Sequence, residues 1–264
     1  MLLLFNKIFT SLPILKRLYP SILTSFFILT NKNIFTIKFK NIFMKINILD
    51  PIDKEIFFKN AYEENQMKIL IDNIKGSKNP IFLDIGANKG IYSLTLAKKF
   101  KNLKIYAYEP VLSTFKSFLY NIFLNKLTNR IKSFNFGLSD TAGVKKMVSI
   151  KRKNYIQSGG YSFKINKSLQ KDNIIENYNT KIGDKILNFE NKKLFIKIDV
   201  EGYELNVLKG IRYLLKRNKV FIQIEIFYKD FKKVNGFLKK NNFLFIKNIK
   251  DKSLAGDYYY KNFT

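Results

Sequence analysis

The chain reads as an α/β protein, a Rossmann-like open sheet of mostly parallel strands with helices on both faces. Three observations carry that reading. From Pro80 onward, short apolar runs alternate with segments of helical periodicity, the pattern of βαβ units with right-handed crossovers. One run, Phe195–Val200, carries Asp199 near its end and is followed by Glu201, Gly202 and a helical pattern. Another, Ile81–Ile85, carries Asp84 and passes directly into a turn containing Gly86 and Gly90. Acids and glycines at the carboxyl ends of strands lie where open α/β sheets hold their ligands.

The elements follow in order. Ile34–Ile48 partly alternates apolar and polar residues, Ile37 and Phe39 against Lys38 and Lys40, which predicts a strand or hairpin. Ala61–Ile74 reads as a helix, and GSKNP (Gly76–Pro80) as the turn that opens the alternating region. The predicted strands are Ile81–Ile85, Lys104–Tyr108, Ile131–Phe136, Phe195–Val200 and Val220–Phe227, all short and rich in β-branched or aromatic residues. The predicted helices are Ile91–Phe100, Thr114–Asn125, Glu204–Lys216 and Phe231–Asn241. In Glu204–Lys216, Leu205, Leu208, Ile211 and Leu215 recur at helical spacing. Phe243–Ile246 and Asp257–Phe263 are expected to finish the sheet as antiparallel strands. Residues 141–193 are polar and include the pair Gly159–Gly160. They are expected to form a hairpin and loops over one end of the sheet, an insertion of the kind that often carries function.

A length of 264 residues suits one α/β domain with an N-terminal extension, or two small domains. We divide the chain into a basic, apolar extension (1–49) and a main domain (50–264). There is no Cys, His or Trp. Disulfide frameworks, Cys/His zinc sites, thiol nucleophiles and His-based triads are excluded, which leaves carboxylates, Lys, Tyr, hydroxyls and backbone dipoles for any catalysis. The lack of Cys fits a cytoplasmic location. A net charge of +28 points to a nucleic-acid or anionic-membrane partner on one reading. On the other it is compositional, because Lys is scattered through every segment of a chain rich in Asn, Ile, Phe and Tyr.

Residues 1–49 hold seven Lys and Arg and no acid. The longest uncharged stretch there, Leu18–Asn31, contains Pro20 and falls short of the roughly 18–20 residues that span a bilayer. No signal-peptide order of basic, apolar and small-residue regions is present. Residues 1–31 are therefore expected either to contact an anionic membrane peripherally or to pack as a helix on the main domain.

The turn after the first strand reads D-x-G-x-N-x-G, with Asp84, Gly86, Asn88 and Gly90. The dinucleotide fingerprint would place glycine where Asn88 stands. An acid ahead of the loop attracts a cation and repels phosphate. The second strand ends in Glu109–Pro110, and an acid there accepts hydrogen bonds from ribose hydroxyls. Together these describe a site for a nucleoside with a cationic tail, such as S-adenosylmethionine.

Three blocks, LDIGANKGIYSL (Leu83–Leu94), YAYEP (Tyr106–Pro110) and IKIDVEGYELNVLKG (Ile196–Gly210), resemble the FkbM family of S-adenosylmethionine-dependent methyltransferases. The resemblance covers roughly residues 45–230, and the third block is its most specific part. GLSD (Gly137–Asp140) and GGYSF (Gly159–Phe163) also sit where the family has similar stretches. The resemblance implies a seven-stranded sheet with an antiparallel last strand. It also implies O-methylation, often of sugars or of hydroxyls in polysaccharide and secondary-metabolite pathways. AYEE (Ala61–Glu64) resembles the family's Tyr-Glu, which implies Glu63 at the methionine end of the cofactor, and GLSD implies Leu138 and Asp140 as further cofactor contacts.

Methyl transfer from a sulfonium is an in-line displacement, and a hydroxyl acceptor benefits from a carboxylate base or a bound metal. Asp199 and Glu201 are the leading base candidates, with Glu225 in FIQIEIF next to them. The same three acids could hold a divalent metal through oxygen ligands, although their spacing alone is no metal motif. Lys197, Asp199 and Glu225 also imitate part of the Lys-Asp-Lys-Glu set of RNA ribose 2′-O-methyltransferases. No RNA-binding module or aromatic platform accompanies them, so a saccharide or small-molecule acceptor is preferred to nucleic acid. A non-catalytic nucleotide- or membrane-binding protein on the same fold is the remaining alternative.

Overall fold

The computed structural model describes residues 15–152, 155–162, 173–250 and 252–264. The first fourteen residues of the expected membrane-contact segment, Phe163 of GGYSF, and residues 164–172 of the expected insertion lie outside the described residues. Before the central sheet come α1 (Leu15–Leu29), the strands β1 (Ile34–Phe39) and β2 (Ile42–Asn47), α2 (Pro51–Lys59) and α3 (Glu64–Ile74). The alternating part runs β3 (Ile81–Ile85), α4 (Ile91–Lys99), β4 (Lys104–Tyr108), α5 (Leu112–Leu124) and β5 (Ile131–Phe134). The insertion holds β6 (Gly137–Ser139), β7 (Gly143–Arg152), β8 (Tyr155–Ser162), β9 (Asn173–Ile182) and α6 (Gly183–Ile186). The chain then continues through β10 (Lys193–Ile198), α7 (Glu204–Gly210), α8 (Arg212–Arg217), β11 (Lys219–Phe227), α9 (Phe231–Lys240), β12 (Leu244–Ile249) and β13 (Ala255–Lys261).

The central sheet has seven strands in the order β12-β13-β11-β10-β3-β4-β5. Neighbours from β11 to β5 pair in parallel, and β13 runs antiparallel to both β11 and β12. The expected open sheet with an antiparallel last strand is therefore present. Strand order reverses beside β3, with β4 on one side and β10 on the other, so a crevice opens at the carboxyl ends of these strands.

Period-two alternation explains why the sheet is buried on both faces. Phe82, Phe195 and Phe221 are paired in register across β3, β10 and β11 and belong to one core cluster. Their neighbours Leu83, Ile196 and Ile222 point the other way, into a second cluster with Leu208, Leu214 and Leu238. Burying each such side chain is worth about 1.5–3 kcal/mol. The first cluster extends into the N-terminal region, because Ile37, Phe39, Ile42, Met44 and Ile46 of the β1–β2 hairpin pack with Phe118 and Ile122.

The hairpin is a separate two-stranded sheet, and α5 finishes it. The Asn125 amide accepts from Phe43 N (2.9 Å) and donates to Phe43 O (2.6 Å), which copies a strand's hydrogen bonds with a side chain. Asn121 accepts from Lys45 N (2.8 Å) and donates to Lys89 O (3.0 Å), tying the hairpin to the turn after β3.

Some element boundaries differ from the sequence expectation. The helix expected over Ala61–Ile74 begins at Glu64, because Glu63 adopts a left-handed φ of 42°. The helix expected over Glu204–Lys216 is two short helices joined at Ile211. Gly210 lies so close to β6 that a Cβ would stand 1.9 Å from the Ser139 carbonyl oxygen, so the chain turns there. The expected hairpin in the insertion is β7–β8, and it belongs to a four-stranded sheet ordered β6-β9-β7-β8.

Asn125→Ala leaves the Phe43 amide and carbonyl without their side-chain partner. A loss of about 2–3 kcal/mol is expected, with faster amide exchange over residues 42–47 than over β3. Unchanged denaturant midpoint and exchange would show that α5 does not hold the hairpin.

Candidate active site

The turn from β3 into α4 is fixed by backbone. Gly86 N and Ala87 N both donate to Tyr108 O at 3.0 Å, and Asp199 N donates to Ile85 O at 3.0 Å. Gly86 (φ 84°) is crowded by its own chain: a Cβ would lie 1.8 Å from the Asp199 carbonyl oxygen. At Gly90 (φ 87°) a Cβ would lie 2.1 Å from the Phe118 ring. Both glycines therefore serve strand–turn and helix–helix approach as well as left-handed backbone.

A cavity of about 630 Å³ opens beside this turn, within the range of small-molecule sites. Asp84, Gly86, Asn88, Glu109, Pro110 and Leu138 line it together with Glu63, Asp199, Glu201, Glu225 and Lys252. Glu109 is buried at the tip of β4. Its carboxylate accepts from Asn88 N and Val111 N, both at 2.9 Å, so it clamps the turn to the start of α5. Burial pushes Glu109 up to about 7 against the pull of those two amides. Asp84 accepts from Ser93 Oγ at 2.6 Å. Burial raises its pKa, with Lys197 and Ser93 opposing.

Of the residues expected at the cofactor, Gly90 and Asp140 do not line the cavity. Gly90 faces the Phe118 ring, and Asp140 sits just past the end of β6. Its carboxylate accepts from Asn206 Nδ2 at 3.1 and 3.2 Å and fastens α7 to the end of β6.

The acids expected at the acceptor side do converge, with one exchange. Glu63, Asp199 and Glu225 bring carboxylate oxygens within 4.8 Å of one another. Glu201, named with Asp199 and Glu225 as a metal-ligand set, lines the cavity outside that trio, and Glu63 stands in its place. Two ammonium groups enter the trio. Lys197 Nζ donates to Asp199 at 2.8 Å. Lys252 Nζ bridges Glu63 at 2.9 Å and Glu225 at 2.8 Å. Both lysines thus lie within hydrogen-bond distance of the carboxylates that form the trio.

The environment splits these acids. Burial alone would raise Asp199, but Lys197 and Lys252 outweigh it and hold the carboxyl below its ordinary value. Burial, then the Asp199 charge, pushes Glu201 up to about 8. The same causes push Glu225 up to about 9, with Lys252 opposing. Burial would lower both lysines, yet the surrounding carboxylates, Asp199 first for Lys197 and Glu63 first for Lys252, raise them.

A hydrogen-bonded chain supports Glu63 from behind. Gln223 Nε2 donates to Tyr92 OH at 3.0 Å, and Tyr92 OH donates to Glu63 at 2.9 Å. Gln223 also reaches Asp257 at 3.3 Å. Glu63 (φ 42°) and Glu201 (φ 53°) are glutamates with left-handed backbones, and both line the cavity. That conformation is uncommon for glutamate and gathers at functional sites. Sequence reasoning missed Lys252, Tyr92, Gln223 and Asp257. Tyr92 stands two residues after Gly90 and was within reach of the loop pattern, whereas nothing marks Lys252 in a chain so rich in lysine.

An open sheet of this order, with a glycine turn after β3, a carboxylate at the tip of β4 and acids at the tips of β10 and β11, defines a class I S-adenosylmethionine-dependent methyltransferase site. The sequence matches the Methyltransferase FkbM domain over residues 84–245, and the chain belongs to that family. It is 29% identical over 187 residues to methyltransferase sdnD of Sordaria araneosa, covering 61% of this chain and 68% of that one. It is 24% identical over 173 residues to methyltransferase 1 of Beauveria bassiana, covering 61% of this chain and 66% of the relative. The chain thus matches about two thirds of the length of each relative. The ribosomal protein L11 methylase of Lactobacillus delbrueckii subsp. bulgaricus superimposes with a TM-score of 0.45 at 12% identity, over 76% of this chain and 79% of that one.

Glu201 and Glu225 hold their protons above the ordinary glutamate value of 4.5 in the folded chain. The folded state therefore binds more protons than the unfolded one between about pH 4.5 and 9, and these groups lose stability as pH rises through that window. Glu225→Gln is expected to flatten the fall in melting temperature between pH 5 and pH 9. Identical slopes for both proteins would count against the buried, raised Glu225.

Proposed function

We propose that this protein is an S-adenosylmethionine-dependent O-methyltransferase that modifies a hydroxyl of a saccharide or of another polyhydroxylated small molecule. The observation that carries the reading is that Glu63, Asp199, Glu201 and Glu225 line the same cavity as Glu109. The donor set fits the cofactor. Glu109 keeps free lone pairs after accepting two amides and suits ribose hydroxyls, while the surrounding carboxylates suit a sulfonium and disfavour phosphate. Asp84, Gly86, Asn88, Glu109, Pro110 and Leu138 are the residues that would hold it. Bound there, S-adenosylmethionine supplies an electrophilic methyl group.

The remaining work falls to the chain. Asp199, kept ionised by Lys197 at 2.8 Å, accepts a hydrogen bond from a neighbouring hydroxyl of the polyhydroxylated acceptor and so orients it, leaving the reacting O–H directed at Glu201. Glu201, with a pKa near 8 and, among the described residues, no lysine within ion-pair distance, takes the proton. A base titrating close to the working pH is the effective one. Glu225 is engaged by Lys252 at 2.8 Å and keeps that ammonium beside Glu63.

A second reading, methylation of an RNA ribose hydroxyl, draws on the adjacency of Lys197, Asp199 and Glu225 and on the net charge of +28. It ranks behind, because the acid-rich wall repels a phosphate backbone. A divalent metal at Glu63, Asp199 and Glu225 would first have to displace Lys252.

Calorimetry with S-adenosylhomocysteine should give saturable binding that Glu109→Ala weakens by roughly tenfold or more. No heat at millimolar ligand would sink the cofactor assignment. In transfer assays with tritiated S-adenosylmethionine, saccharide acceptors should be labelled and RNA should not. Glu201→Gln should lower kcat by roughly 10²-fold and remove the rise in rate toward pH 8. An unchanged pH profile would remove Glu201 from the role of base.

A further inference from the structure

We propose that α1 lays this protein on an anionic lipid bilayer. The helix has two unlike faces. Phe27 is 9% exposed and packs against Phe35 (ring centroids 4.9 Å) and Phe57 (6.4 Å), while Tyr19 meets Phe58 at 5.9 Å. That face is clamped to the hairpin and to α2. Flanking it on the helix surface, Leu18, Ile22, Phe26 and Leu29 are 53%, 65%, 55% and 83% exposed. At 100° per residue these four fall within an arc of about 80°, a continuous apolar stripe. No charged residue interrupts it between Leu18 and Asn31.

The charge around the stripe selects its occupant. Residues 1–49 hold seven Lys and Arg and no acid, and Lys32 and Lys38 are exposed beside the helix and on the hairpin it packs against. Lys40 pairs with Glu64 at 2.7 Å, and a second copy of this chain would bring the remaining positive charge to the same contact. An anionic bilayer presents the complement, and each cation near it adds about 1 kcal/mol. The helix spans 15 residues, about 22 Å, which is shorter than a bilayer core. Among the described residues no helix is long and apolar enough to cross a membrane. The helix therefore lies in the plane of the headgroups with its stripe inserted and the enzyme domain above it. Since α1 rests on α2, and α2 supplies Ile52, Asp53 and Glu55 to the cavity wall, the site is carried next to the lipid surface.

The test is flotation of the full chain with vesicles of phosphatidylcholine alone or with 30% phosphatidylserine, for the wild type and for Ile22→Asp with Phe26→Asp. The wild type should float with the anionic vesicles, at least tenfold more than with the neutral ones, and lose flotation at high salt. The double variant should remain at the bottom while keeping the wild-type melting temperature and S-adenosylhomocysteine affinity. Equal flotation of both proteins would overturn the proposal, as would flotation of neither. A wild-type dimer that the variant converts to monomer, without any flotation, would overturn it in favour of a second copy. Because stripe and cavity are read out separately, failure of the cofactor assignment would leave this result interpretable.

Discussion

Excess negative charge at the carboxyl ends of β10 and β11 is the constraint around which the rest of the site is arranged. Three carboxylates meet within 4.8 Å in a protein whose net charge is +28. Left alone they would repel one another and resist burial. Lys197 comes from the strand that supplies Asp199, and Lys252 from the segment between the last two strands. Two positive charges against three negative ones leave one negative charge over. A cationic ligand completes the balance and an anionic one worsens it. The choice of a sulfonium cofactor and the low rank of a phosphate-bearing acceptor follow from the same arithmetic.

The scaffold around the cluster is rigid where the chemistry needs it. Glu109 clamps the turn after β3 with two amide hydrogen bonds, and the Tyr108 carbonyl takes two more from the same turn. Glu63 is held from the rear by Tyr92, which is held in turn by Gln223. Glu109 and Glu63 are thus each fixed in direction by hydrogen bonds, which limits the reorganisation needed when a ligand enters.

Much of this was legible in the sequence, and the unread part has physical reasons. β3, β4 and β10 announce themselves because apolar, β-branched runs ending in an acid are costly unless the acid is used. Asp84, Glu109 and Asp199 were accessible through that rule. Glu63 was accessible only by resemblance, because it lies in a short connection before the sheet. Lys252 was hidden by composition, since one lysine among so many carries no signal. Asp140 misled because a polar residue at a strand end can serve packing as well as binding, and here it secures Asn206. The break at Ile211 was invisible to periodicity, since the apolar spacing continues through it while Gly210 is drawn against β6.

β13 lies between β11 and β12 in space but follows both in sequence. During synthesis the edge of β11 stays open until residues 255–261 have left the ribosome, because no earlier strand occupies that place. Lys252 emerges in the same late stretch. Between the synthesis of Glu225 and the arrival of that stretch, Glu63 and Glu225 lack the ammonium they share, and the chain acquires a closed sheet and that neutralising ammonium in nearly the same moment.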